Sequence, residues 1–121
     1  MNLPDLHDWE IKAILTDHNV QSVIIQLLFP ETDDTASITL KGVTHFHASE
    51  MMLQNVILDV LVFKTVVESD YFDYCKKVLH IRNDFFSENN NVKILYVEPS
   101  VGVELACSFT EIEFNSNIYF K

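Results

Sequence analysis

The chain has 121 residues, about one domain's worth. Nearly half of them (48%) are hydrophobic, including nine Phe, four Tyr and one Trp, which excludes a disordered tail. Eight Lys and Arg stand against 18 Asp and Glu, a formal net charge of −10, and a surface of that sign repels phosphate backbones and argues against a nucleic-acid partner.

The opening Met1 to Asp8 has neither a basic nor an apolar run, so no secretory signal is expected there. The most apolar stretch, Leu53 to Phe63, is broken by Gln54, Asn55 and Asp59 and falls short of the ~18 apolar residues of a membrane span. Cys75 and Cys107 form no C-x-x-C pair and read as buried free thiols in a reducing compartment. The expectation is one cytoplasmic domain over residues 1–121 with no membrane partner.

Along the chain, Trp9, Ile11, Ala13 and Leu15 share one face with Glu10, Lys12 and Thr16 on the other, which predicts a half-buried strand. Asp17-His18-Asn19 supplies turn chemistry, and Val23, Ile25, Leu27 and Phe29 complete a hairpin. After the charged turn Pro30 to Thr35, a long strand carries Ile38, Leu40, Thr44, Phe46 and Ala48 on one face, with Gly42 in the same row as a bulge or sharp bend. Met51 to Val67 is apolar on both faces and predicts a central strand covered on each side, with a helix on one.

Ser69 is the expected N-cap of the one helix, with Asp70 and Asp73 in its first turn. Tyr71, Phe72, Cys75, Val78, Leu79 and Arg82 follow helical spacing, and Ser87 to Asn91 ends it. Val92 to Val97 predicts a strand, Glu98-Pro99-Ser100 a turn, and Val103 to Phe109 a last strand. Ile112 and Phe114 fall on the opposite parity, which a bulge near Thr110 repairs. Asn115 to Asn117 predicts a short turn before Ile118-Tyr119-Phe120. The order β-β-β-β-α-β-β predicts an α+β fold, a curved, mostly antiparallel sheet of about six strands with one helix packed on it.

Few constellations carry chemistry. His45-x-His47 puts two imidazoles on one strand face, with Glu50 in reach, but the third and fourth ligands of a metal site are missing. His7-Asp8 stands at the entry to the first strand, where backbone hydrogen bonding explains it. With two glycines in total and no phosphate-cradling loop, no catalytic set, metal or cofactor is assigned. The alternatives are a small metal-dependent hydrolase using His45, His47 and Glu50, or a ligand-binding module with an apolar pocket lined by Phe46, Phe63, Phe72 and Phe109. Exposed edge strands leave the oligomeric state open.

Leu6-His7-Asp8-Trp9-x-Ile11, then Lys41-Gly42-Val43-x-x-Phe46, then Gln54-Asn55-Val56-Ile57-Leu58-Asp59, resembles small bacterial immunity proteins across residues 6–63. The resemblance implies a cytoplasmic, non-enzymatic antidote that binds the toxin of a polymorphic or contact-dependent growth inhibition system. Many such toxins are nucleases with basic clefts. The acidic residues Glu31, Asp33 and Asp34, with Glu104, Glu111 and Glu113, are therefore the expected toxin-binding set, facing a basic protein domain.

Overall fold

The computed structural model describes residues 3–117. Its elements are β1 (Glu10–Asp17), β2 (Ser22–Phe29), β3 (Asp34–Lys41), β4 (Phe46–Ser49), β5 (Val56–Phe63), α1 (Asp70–Leu79), α2 (Asn83–Glu88), β6 (Lys93–Val101), β7 (Glu104–Phe109) and β8 (Glu111–Ser116). The fold is α+β with an antiparallel sheet in the order β4-β7-β6-β5-β1-β2-β3-β8. It has eight strands where about six are expected, and two short helices where one is expected.

Both extra strands come from one corner. The long strand from Ile38 to Ala48 bends at Gly42, whose φ is 68°, and so becomes β3 and β4. The last strand breaks at Thr110 into β7 and β8, where the parity of Ile112 and Phe114 demands a bulge. β3 pairs with β8 and β4 with β7. Between them the Thr110 N–H donates to the Lys41 carbonyl at 2.9 Å and the Ser108 N–H to the His45 carbonyl at 2.9 Å. Because β4 and β3 lie near opposite ends of the strand order yet are joined through residues 42–45, the sheet curls round and brings its two ends together. A β-carbon at Gly42 would sit 2.1 Å from Thr110 Oγ1, so the corner admits only glycine without displacement.

The other seam, between β1 and β5, has a single ladder pair, Glu10 with Val56. Backbone bonds from the lead-in segment reinforce it, Asp8 N–H to Ile57 O at 3.0 Å and Ile57 N–H to Trp9 O at 2.9 Å. Asn55 fastens its end. Its buried amide oxygen accepts from the Met52 and Val103 N–H groups, each at 2.9 Å, and its Nδ2 donates to Met52 O at 2.7 Å and Ile11 O at 3.5 Å.

Two apolar cores result. Inside the curled sheet, Ile25, Ile38 and Leu40 from β2 and β3 meet Leu95, Leu105 and Phe109 from β6 and β7. Outside it, Phe72, Cys75 and Leu79 of α1 and Phe86 of α2 cover Ile94 and Ala106. β6 is therefore buried on both faces, Leu95 and Val97 inward, Ile94 and Tyr96 under the helices. β5 also serves both layers, Val60 and Val62 inward, Leu61 and Phe63 outward, as the two-sided apolar pattern implies. The strand itself is shorter than the stretch 51–67, and Met51, Met52 and Leu53 are exposed.

Other boundaries shift for identifiable reasons. The β1–β2 register slips between Ile11 and Ala13, so Ile14 packs against the interior while Leu15 faces solvent, and the expected Trp9-Ile11-Ala13-Leu15 face is split. β6 runs through Pro99 to Val101 instead of turning at Glu98-Pro99-Ser100, and the turn falls at Gly102, with φ 84°. Pro99 lies beyond the last β6–β7 pair and opposite a register shift in β5, where a missing N–H costs the ladder little. Ser69 caps α1 as expected, its Oγ accepting from the Phe72 N–H at 3.5 Å. The helix stops at Leu79 because His80 is left-handed, with φ 57°. Asn115 and Ser116 remain in β8, paired with Ser37 and Ala36, and Ile118-Tyr119-Phe120 lies outside the described residues. No helix among the described residues is long and apolar enough to cross a membrane.

Candidate functional site

Where α1 crosses the outer face of β6 and β7, an open groove of about 580 Å³ is lined by Asp70, Tyr71, Tyr74, Tyr96 and Glu104. Its construction follows from helix and strand periods. Phe72, Cys75 and Leu79 take the buried stripe of α1, leaving Tyr71 and Tyr74, three residues apart, on its flank at 41% and 38% exposure. Tyr96 projects outward from β6 opposite Ala106, whose small side chain leaves room for the ring. Both helix tyrosines lean on Tyr96, with ring centroids 5.6 Å and 6.0 Å away.

Two glutamates anchor these rings, Glu104 in the groove's lining and Glu98 beside it as the acceptor of Tyr71. Glu98 and Glu104 stand one residue beyond the last β6–β7 pair, Val97 with Leu105, on the same outer face as Tyr96. Glu104 accepts from Tyr74 Oη at 2.6 Å and Tyr96 Oη at 2.9 Å, and Tyr71 Oη donates to Glu98. These bonds hold the phenols protonated. The Glu104 hydrogen bond pushes Tyr74 up to about 12, burial and then Glu104 raise Tyr96 further, and the Glu98 bond raises Tyr71. His47 Nε2 approaches Glu104 at 3.8 Å. No Lys or Arg among the described residues pairs with either glutamate.

The six carboxylates expected to bind a toxin occupy three separate places. Glu31 and Asp33 are exposed on the β2–β3 turn, where Asp33 takes a left-handed φ of 58° and Asp34 starts β3. Glu111 and Glu113 face solvent on β8, and Glu113 pairs with Lys41 at 2.7 Å. Glu113 lies opposite Thr39, five residues along β3 from Asp34, or roughly 17 Å at strand rise. Glu104 belongs to the tyrosine groove. Asp70, Tyr71, Tyr74 and Tyr96, which line the groove with it, and Glu98, which accepts from Tyr71, are absent from that expected set. Their signal is present in the chain as an i, i+3 tyrosine pair beside the apolar helix stripe and a Tyr96-x-Glu98 pair on one strand face.

The remaining candidates separate likewise. His45 and His47 do share the outer face, but His45 packs edge-on against Phe85 at 5.2 Å while His47 turns to Glu104. Glu50, with φ 64°, sits past the end of β4. Among the described residues no group of three or more His, Cys, Asp or Glu is placed to hold a metal ion. The four phenylalanines of the proposed ligand pocket divide between layers, Phe109 inside the sheet, Phe63 and Phe72 in contact under the helices, and Phe46 partly exposed on β4. Cys75 and Cys107 are buried free thiols whose pKa values burial pushes up to about 12, unsuited to nucleophilic attack. His7 Nδ1 bonds the Leu58 carbonyl at 3.0 Å and Nε2 lies 3.3 Å from Asp8, a strand-entry clamp.

Compared with models of protein families, with curated proteins and with solved structures, the chain matches none.

Proposed function

We propose that this chain is an immunity-type antidote, a non-enzymatic cytoplasmic protein that binds and neutralises a cognate bacterial toxin, a nuclease with a basic cleft. The observation that carries this reading is charge left without an internal counterion. Of the 18 carboxylates, all within the described residues, only Asp73 and Glu113 have one of the described lysines within ion-pair distance, and Arg82 pairs with none. Holding −10 on a chain this small costs self-repulsion, and a basic partner converts that cost into attraction. The likeness of residues 6–63 to immunity proteins supports the same assignment.

In this account the acidic outer surface steers the toxin at a distance and then covers the cleft that would take a phosphate backbone. Affinity-tagged protein exposed to a host-cell lysate at low and moderate salt tests it. The expected result is one basic polypeptide, retained less as ionic strength rises. Capture of an acidic partner, or retention indifferent to salt, contradicts the proposal.

A further inference from the structure

We infer that the groove between α1 and the β6–β7 face is a receptor for a protonated arginine or lysine side chain presented by a protein partner. The partner's being a toxin rests on the antidote reading above; the groove's ligand chemistry rests on its own geometry.

Three features converge on an organic cation. First, the lining is aromatic. Tyr71, Tyr74 and Tyr96 are clustered with centroids within 6.0 Å of the central ring, and two of the three rings reach solvent. A cation over such faces gains attraction that neither an anion nor a neutral apolar group shares. Second, Glu98 and Glu104 lie one residue past the last β6–β7 pair, two like charges on neighbouring strands with no Lys or Arg among the described residues paired to either. The phenols soften this by donating to both carboxylates but bring no charge. Third, no lysine or arginine among the described residues lies within ion-pair distance of the groove's carboxylates, and of the basic side chains only His47 approaches, 3.8 Å from Glu104. Lys76, on the same helix, is held by Asp73 at 3.4 Å, Asn83 Oδ1 at 2.9 Å and the Phe72 ring.

The occupant follows from the fit. An inorganic cation would need a cluster of oxygen and nitrogen ligands; no group of three is so placed among the described residues, and three of the five lining residues are tyrosines. A guanidinium is flat, weakly hydrated, stacks on aromatic rings and presents a fork of donors to carboxylates, so arginine suits the site best and lysine second. The groove lies open, so the side chain can arrive on a folded partner's surface, and the long-range field of the acidic protein favours a basic one.

The test uses the isotopically labelled full chain and a capped glycine-arginine-glycine peptide, with the citrulline peptide as neutral isostere and spermidine as a free polyamine. Ring and backbone resonances of Tyr71, Tyr74 and Tyr96 are followed by NMR. The expected result is saturable shifts confined to the groove with the arginine peptide and none with citrulline. Each of Tyr71→Leu and Glu98→Gln, both solvent-reaching, then weakens binding about fivefold while the rest of the spectrum stays native. Shifts spread evenly over the β2–β3 turn and β8, or equal binding of the citrulline peptide, overturn the inference. Spermidine binding tighter at the same rings overturns the protein source and makes a polyamine the ligand. If the peptide fails while salt-sensitive capture of a basic protein succeeds, the groove is wrong and the antidote reading stands; the reverse pattern keeps the groove and removes the antidote.

Discussion

The two halves of the curled sheet share one interior and differ outside it. In the half built from β1, β2, β3 and β8, strands alternate, with Ile25, Ile38 and Leu40 inward and Gln26, Ser37, Thr39 and Glu113 toward water. In the half built from β5, β6, β7 and β4, the run Ile94-Leu95-Tyr96-Val97 is buried on both faces because α1 and α2 form a second layer. The open half keeps its charges solvated or paired, as Lys41 and Glu113 are. The covered half leaves Glu98 and Glu104 at the margin of its second layer, beside rings that are part core and part surface. A strand apolar on both faces therefore does more than announce a helix above it. It marks where a helix edge meets a sheet face and can leave a groove.

The largest expected effect separates the two layers. Phe109→Ala opens a cavity in the shared interior and should cost about 3–5 kcal/mol, with amide protection falling in both halves. Phe72→Ala, equally buried, should cost a similar amount for full unfolding but release α1 and α2 first, so hydrogen exchange rises in residues 70–88 before β2 and β3 respond. Uniform loss of protection in both variants would show that the layers are one cooperative unit.

Next in size is the seam. Asn55→Ala leaves the Met52 and Val103 N–H groups without their acceptor and should lower stability by about 2–4 kcal/mol, measured by urea unfolding. A change within 0.5 kcal/mol of zero, as is typical of surface substitutions, would mean that Asn55 does not fasten the halves.

A smaller effect tests the groove's wiring. Glu104→Gln removes the charged acceptor, so Tyr74 should ionise below its present value of about 12 and move toward 10 in an alkaline titration followed by tyrosinate absorbance. The phenol bonds stabilise the fold while the phenols are protonated and are lost as pH rises through the raised folded value. An unchanged titration would detach Tyr74 from Glu104.

The smallest concerns His7, raised above its ordinary 6.5 by its bond to the Leu58 carbonyl and then by Asp8. Its contribution is full below pH 6.5 and fades as pH rises through the raised value, so wild-type protein and His7→Ala should converge in melting temperature on the alkaline side of that window. Equal melting temperatures at acidic pH would leave the clamp without weight.

Local signals carried most of the secondary structure. The turns after Asp17 and Phe29, the Ser69 cap and the Gly42 bend lie where the chain's own chemistry puts them, because each is decided within a few residues, although β3 already begins at Asp34 within the expected turn 30–35. The count of strands was not legible in the same way. Whether Gly42 and Thr110 are bulges within strands or corners between them depends on the contact of one with the other, 68 positions apart. The break at His80 was hidden too, since a left-handed histidine has no mark of its own in an otherwise helical pattern. For the site, counting carboxylates found Glu104 but gathered it with residues that the topology holds apart. The tyrosines escaped because rings at helical spacing look like core until the buried stripe is known.

The most direct measurement is growth rescue. The captured basic polypeptide, expressed alone, should arrest growth, and co-expression of this chain should restore it, with the Glu98→Gln, Glu104→Gln double variant restoring less. Arrest that persists in the presence of well-expressed, folded wild-type protein would contradict the account.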